Sequence, residues 1–207
     1  MPKSKSRRKV VSKLGSGAPV SSSRSHPHWS WLVLILGVVA LGAGGAWLWW
    51  QSWRAEEEFL QYASRGRQTL SAVETLSDEG RRHLAAGERV GYGTDPPTSG
   101  PHDLTWVPTG VYDAAQSPGR LVHSLEHGNI VIYYDKLDPL ALETLGGWSG
   151  LYDGQWDGIV VVPRPGLGQA VILTAWNKRL RLQSFDPEAG AAFIDAFRGR
   201  GPENPVR

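Results

Sequence analysis

A run of twenty residues without a charged side chain, at positions 31–50, constrains this chain more than any other feature. At about 1.5 Å per residue, a helix of this length spans roughly 30 Å, which is the thickness of a bilayer's hydrocarbon core. A cleaved signal peptide is the alternative, but its apolar segment is shorter and ends at a small-residue cleavage site. Tryptophans lie at both ends of the run, as in the aromatic belts of membrane proteins. The run therefore predicts a single transmembrane helix at residues 29–53, retained as an anchor.

Charges are distributed unevenly on the two sides of this predicted helix. Seven Lys and Arg precede residue 29, where there is no Asp or Glu, whereas Arg54 is followed closely by three glutamates. Cationic flanks of a membrane helix stay in the cytoplasm. We therefore expect a single-pass protein of the cell membrane with a cytoplasmic N-terminus and a periplasmic or extracellular C-terminal domain. Residues 1–28 are expected to be a disordered basic tail that contacts anionic lipid headgroups.

Composition excludes several classes of function for the remaining chain. Seven of the 22 Lys and Arg lie in the tail, so the other 15 oppose 20 Asp and Glu, and the folded part is not expected to bind nucleic acid. There is no Cys, which rules out disulfides and thiolate ligands, and Met1 is the only Met. A metal site would have to use imidazole and carboxylate, which suits zinc, copper(II), nickel or iron.

The pattern of apolar residues after the anchor predicts one small α+β domain. Apolar residues at helical spacing indicate a helical stalk within residues 54–88, extending to about Leu84, and residues 89–207 are expected to form the extracytoplasmic domain. Asp-Pro pairs at residues 138–139 and 186–187 have the N-cap and first-turn pattern of two helices, expected to end near residues 146 and 197. Strands are predicted at residues 129–134, 158–162, 170–176 and 180–185. Because these elements do not alternate strictly, an antiparallel sheet with flanking helices is expected.

Four of the six histidines are confined to residues 83–127, and any chemistry is expected there. In a strand, His123 and His127 would lie about 13 Å apart, too far for one metal ion. One helical turn would bring them within about 6 Å of each other. Pro118 and Gly128 are typical of the start and end of such a helix. His102 follows a proline-rich loop that would hold its side chain in place, and His83 falls on the predicted stalk helix.

The run His123-Ser-Leu-Glu126-His127 has the H-x-x-E-H arrangement of inverzincin peptidases, in which both histidines bind zinc and the glutamate activates water. Those enzymes carry the motif on a long helix, whereas here Gly128 and a predicted strand follow at once. They also need a distant carboxylate ligand, for which Glu203 has a suitable spacing. The alternative is that these histidines are buried and hydrogen-bonded, with Glu126 paired to one of them.

Two motifs carry a resemblance to a known family. The run Pro-Pro-Thr-Ser-Gly-Pro-His-Asp at residues 96–103 and the run His-Ser-Leu-Glu-His-Gly at residues 123–128 resemble the uncharacterised bacterial family called domain of unknown function 3105. The likeness extends in order from about His83 to Glu203, and members typically carry an N-terminal membrane anchor. The resemblance implies that the histidines and Glu126 stand at motif positions. It implies no activity, because none is established for the family.

Three hypotheses follow for the function. The first is a metal-binding ectodomain that handles zinc or copper, and its predicted ligands are His83, His102, His123, Glu126 and His127. The second is an accessory or assembly subunit with structural histidines, in which Trp106, Trp148 and Trp156 face a membrane protein partner. The third is a metal-dependent hydrolase with Glu126 as the base. Whether the protein is an enzyme stays open at this point.

Overall fold

The computed structural model describes residues 29–207, and the tail predicted at residues 1–28 lies outside the described residues. The chain divides into two compact units, one up to Gly45 and one from Ala46 to Arg207. Helix α1, Trp29–Arg65, includes a segment that is long and apolar enough to cross a membrane. The most apolar part of that segment is not buried against other residues of the described chain. One helix with the properties of a membrane span is therefore present where the sequence predicts it.

A mixed six-stranded sheet lies at the centre of the second unit. Its strands are β1 (Glu74–Thr75), β2 (Gly110–Val111), β3 (Ile130–Tyr134), β4 (Ile159–Pro163), β5 (Val171–Ala175) and β6 (Lys178–Leu182). They are arranged in the order β1-β6-β5-β3-β4-β2. Helices flank this sheet, so the predicted α+β class is confirmed.

The expectation of an antiparallel sheet is only partly correct. Strands β1, β6, β5 and β3 pair antiparallel, but β3 pairs parallel with β4, and β4 pairs parallel with β2. Parallel neighbours need a crossover of a dozen or more residues, which helix α3, Pro139–Leu151, provides between β3 and β4. The pairing depends on where this helix docks, which the local pattern of each strand does not specify.

Capping residues fix the starts of two helices as the sequence predicts. The Asp138 carboxylate accepts a hydrogen bond from the Ala141 backbone N–H at the start of α3. Asp186 does the same for Glu188 and Ala189 at the start of helix α4, Pro187–Phe197. Helix α3 continues past the predicted end near residue 146, because Trp148 and Leu145 are buried against the sheet. Tertiary packing thus extends a helix through glycines that would end it in isolation.

The predicted helical stalk is shorter than expected. Helix α1 ends at Arg65 and is followed by a 3₁₀ helix, Gly66–Ala72, and then by β1 at the edge of the sheet. The 3₁₀ helix packs along α4, and Arg65 forms an ion pair with Glu188 at 2.6 Å. These contacts, together with the pairing of β1 with β6, replace the helical conformation that apolar spacing alone predicts to about Leu84.

The two faces of the sheet carry separate apolar clusters. Along β3, Ile130 and Ile132 face the cluster that includes α3, α4 and Phe59, whereas Val131 and Tyr133 face the opposite side. This is the two-residue alternation of a strand that is covered on both faces. Helix α2, Pro118–His127, covers the second face and carries three of the predicted site residues.

Candidate metal centre

Helix α2 is buried from Leu121 to its end, because other segments cover the face turned away from the sheet. Leu121 and Leu125 pack into the apolar cluster under the helix. His123, Glu126 and His127 lie on the other side of the helix, as their positions on a helical wheel require. They are nevertheless only 4%, 7% and 2% exposed. The proline-rich loop and the C-terminal segment enclose them.

Two glycines allow the C-terminal segment to approach the end of α2. Gly128 caps the helix in the left-handed conformation, with φ of 105°, which favours glycine. A β-carbon on Gly128 would lie 2.7 Å from the Trp156 carbonyl oxygen and 2.8 Å from the Gly201 nitrogen. A β-carbon on Gly201 would collide with the backbone of α2. The Glu203 backbone N–H donates to the Glu126 carbonyl at 3.3 Å, so the Glu203 side chain is brought to the histidines.

Backbone pairing positions His83 and His102. The two residues form a parallel bridge, in which the His102 N–H donates to the Arg82 carbonyl at 3.0 Å and the Leu84 N–H donates to the His102 carbonyl at 2.7 Å. The sequence predicts His83 on a helix, but the structure places it in this extended segment. His102 is fully buried, whereas His83 is exposed. His83 thus lies on the solvent side of the group.

Backbone carbonyls determine which nitrogen carries the proton in two of the histidines. His102 Nδ1 lies 2.9 Å from the Gly100 carbonyl oxygen, and His123 Nδ1 lies 2.8 Å from the Asp103 carbonyl oxygen. A carbonyl only accepts hydrogen bonds, so each Nδ1 must be the donor. In the neutral ring, Nε2 then carries a lone pair. This arrangement is also how backbone carbonyls orient metal-binding histidines in proteins.

The Nε2 atom of His102 faces another electron-rich atom. It lies 3.0 Å from a carboxylate oxygen of Glu126, and both side chains are almost fully buried. The geometry is not that of a hydrogen bond, and Nε2 has no hydrogen-bond partner among the residues that the structure describes. A buried lone pair beside a buried carboxylate is unfavourable without a proton or a metal cation between them. The contact therefore indicates a position for a positive charge.

The possible ligand atoms form two overlapping groups. One group contains His83, His102, His123 and Glu126, and the other contains His123, His127 and Glu203. Within each group, all of these atoms lie within 4.8 Å of one another. In the second group, Glu203 Oε2 is 3.1 Å from His127 Nε2 and 3.9 Å from His123 Nε2.

These separations fit coordination of a transition metal. At bond lengths of about 2.05 Å, two ligand atoms on one ion are at most about 4.1 Å apart. The 3.0 Å and 3.1 Å separations of Glu126 from His102 and of Glu203 from His127 would then correspond to roughly 95° at the ion. Small side-chain shifts would bring the wider pairs into range.

Burial favours the neutral form of three imidazoles. It is the main cause that lowers the pKa of His102, His123 and His127, and the neighbouring imidazoles lower these pKa values further. The pKa of the Glu126 carboxyl is raised, first by burial and then by the charge of Glu203. Neutral imidazole is the form that binds metal, so protons compete weakly for these nitrogens near neutral pH.

The structure brings all five predicted ligands together and adds Glu203. Whether they bind a metal stays a prediction, since the geometry shows only that they are able to. Glu126 belongs to the group that contains His102 and His123, and not to the group of His123, His127 and Glu203. The spacing of Glu203 from the motif was its only sequence signal.

The tryptophans considered as partner-facing have other contacts. Trp148 is 6% exposed and packs edge-on against Phe59 in the apolar cluster. Trp106 and Trp156 are half-buried, and their ring centroids lie 4.7 Å and 4.3 Å from that of His127. These two indoles therefore form part of the wall of the site.

Comparison with known proteins identifies a family for this chain. Neither the curated proteins nor the solved structures provide a match to this chain. A family model matches residues 83–207, which is more than half of the chain and includes all six residues of the two groups. The chain therefore belongs to the family described as protein of unknown function (DUF3105).

Proposed function

We propose that this protein is a membrane-anchored, extracytoplasmic domain that binds a divalent transition metal, zinc or copper(II), through buried imidazoles and carboxylates. The observation that carries the proposal is the contact between His102 Nε2 and Glu126 Oε2, at 3.0 Å and without hydrogen-bond geometry. A neutral His102 beside an ionised Glu126 would leave this nitrogen unsatisfied at a cost of about 1–3 kcal/mol. A metal ion satisfies both atoms.

The exposure of the outermost residues supports a role in metal handling. Structural zinc sites are closed by four protein ligands. Here His83 is exposed and the Glu203 side chain is 43% exposed, while the remaining residues of the two groups are buried. A site with buried ligands and solvent-facing ones can exchange its ion with the surroundings. The protein would therefore take up and release metal at the membrane surface.

The location of the domain is part of the proposal. The basic residues before the apolar segment favour a cytoplasmic N-terminus, with the bilayer and its anionic headgroups as partners of that end. Because the chain has no Cys, single cysteines introduced by Ser12→Cys or Glu143→Cys can be tested with a membrane-impermeant thiol reagent on spheroplasts. Labelling of the second variant alone is expected. Labelling of the first alone would reverse the orientation.

Metal content tests the central claim. The full-length chain, without a histidine tag, would be purified in detergent, exposed to zinc or copper(II), dialysed and analysed by mass spectrometry. His26→Ala and His28→Ala would be included throughout, because these tail histidines could bind metal on their own. We expect at least one equivalent, and loss of it in the additional variant His102→Ala, His123→Ala. Absence of metal from the parent would refute the proposal and favour the accessory-subunit hypothesis.

A metal-dependent hydrolase is a second candidate. The group His123, His127 and Glu203 has the two imidazoles and one distant carboxylate of that class, and three protein ligands leave a coordination position for water. Glu126 lies on the same helical turn and would act as the base. Hydrolysis of a panel of peptide and ester substrates by the metal-loaded chain would support this candidate, provided that Glu126→Gln abolishes turnover while metal remains bound.

A further inference from the structure

The six side chains of the candidate centre do not surround one point. Among the described residues, the potential ligand atoms fall into two groups, and no single group includes both His102 and His127. The rings of His83, His102 and His123 form a triangle with centroid separations of 4.9–5.3 Å, and the His127 ring lies 4.7 Å from that of His123. Two overlapping groups of this kind offer more than one position for an ion.

His123 belongs to both groups but can serve only one ion. Its Nδ1 donates a hydrogen bond to the Asp103 carbonyl at 2.8 Å, so only Nε2 has an available lone pair. That atom lies 3.9 Å from Glu203 Oε2, within the range for two ligands of one ion. Assigning His123 to the second group leaves His83, His102 and Glu126 in the first. Each half then has two imidazoles and one carboxylate.

We propose that the centre holds two adjacent divalent ions, one bound by His83, His102 and Glu126 and the other by His123, His127 and Glu203. This inference rests on the proposed function and specifies its stoichiometry. Every potential ligand of the two groups is used once. Paired sites in proteins hold their ions about 3.5–4 Å apart.

The charge of such a centre indicates what else it would bind. Two divalent ions carry four positive charges, and the two carboxylates compensate only half of them when the imidazoles are neutral. Three protein ligands on each ion leave coordination positions for small ligands from solvent. The exposed side chains of His83 and Glu203, one in each half, place those positions within reach of solvent. The loaded centre would therefore attract a small oxyanion.

Stoichiometry distinguishes two ions from one. The full-length chain with His26→Ala and His28→Ala would be loaded with zinc and measured by native mass spectrometry. We expect two zinc ions per chain. One ion would overturn the paired centre while leaving the proposed function intact, and no ion would overturn both.

Variants assign the ions to the two halves. The variant His127→Ala, Glu203→Gln removes two ligands of the second ion and should lower the count from two to one. If one ion is bound by the first group alone, the same variant would leave the count unchanged at one. Glu143→Gln is the matched control, because Glu143 is an exposed carboxylate on α3 outside both groups, and it should retain two ions.

Magnetic coupling provides a test that does not depend on any variant. In the copper(II)-loaded parent, two ions about 3.5–4 Å apart should give a half-field transition in the electron paramagnetic resonance spectrum. An uncoupled spectrum at two equivalents would place the second ion elsewhere and overturn the proposal. Circular dichroism of each variant would verify that the fold is retained.

Discussion

The two faces of the central sheet are covered in different ways. The face under α3 and α4 is packed with aliphatic and aromatic side chains, among them Phe59 and Phe193, both fully buried. The face under α2 also has an apolar layer, but the outer side of α2 buries histidines and a glutamate. Burying polar groups costs free energy unless each finds a partner. The first face is thus suited to stabilise the fold, and the second sacrifices some stability to bury the cluster of histidines and glutamate.

The largest expected change in the free energy of unfolding comes from a substitution on the face of the sheet under α3 and α4. Phe193→Ala would leave a cavity beside α4 and lower the free energy of unfolding by about 3–5 kcal/mol. Urea unfolding of the full chain in detergent, followed by tryptophan fluorescence, measures this change. Metal content should be the same as in the parent. A parallel loss of metal would show that the two faces are not independent.

Bound metal should raise the free energy of unfolding only in variants whose ligands in the histidine cluster are intact. At a free metal concentration of 100 times the dissociation constant, the first bound ion should add about 2.7 kcal/mol to the free energy of unfolding. The gain should appear equally in Phe193→Ala, because its ligands are intact. The variant His102→Ala, His123→Ala should gain nothing in the same urea titration. An equal gain in that variant would place the stabilising ion outside the cluster.

The Ser124 hydroxyl on α2 is hydrogen-bonded to the loop at Val107, and its removal tests how this loop is held on the helix. Ser124 Oγ accepts a hydrogen bond from the Val107 N–H at 3.0 Å and donates to the Val107 carbonyl at 2.9 Å. Ser124→Ala leaves these buried groups unsatisfied and should cost about 1–3 kcal/mol. Ser71→Ala, which affects only an exposed contact, should stay within about 0.5 kcal/mol of the parent. Equal effects would indicate that the loop is held by packing alone.

Lowering the pH by one unit should give the smallest change in the free energy of unfolding. In the metal-free folded protein, the pKa values of His102, His123 and His127 are lowered, chiefly by burial. The unfolded chain, with imidazole pKa values near 6.5, then binds more protons, so stability falls as the pH drops through this range. Urea midpoints at pH 7.5 and pH 6.5 should show the decrease. A variant with all three histidines replaced by Gln should show little of it.

Local sequence signals were sufficient to predict the helices whose start or stop residues are recognisable in the sequence. Pro118 and Gly128 mark the observed ends of α2, and Asp138 and Asp186 cap the helices that follow them. The helical geometry that joins His123 to His127 was therefore accessible from the sequence. The parallel pairing of β3 with β4 was not, because it depends on the docking of α3 and not on any local pattern.

The candidate centre likewise depends both on local signals and on contacts between distant segments. Each imidazole has a recognisable neighbourhood in the sequence, but the contacts that join α2 to the other ligands are between residues distant along the chain. Glu203 meets His127 only because the C-terminal segment crosses the end of α2 at two glycines. His83 meets His102 through a backbone bridge between two segments that have no regular secondary structure. Contacts of this kind are set by the assembled fold.

The indoles beside His127 give the protein a built-in optical reporter. The rings of Trp106 and Trp156 lie 4.7 Å and 4.3 Å from the His127 ring, so their emission is sensitive to whatever that imidazole binds. Paramagnetic copper(II) quenches a nearby excited indole, whereas zinc, with its filled d shell, does not. Tryptophan emission from the unlabelled protein would therefore distinguish the two metals, and replacing both indoles with Phe should reduce the quenching by copper(II).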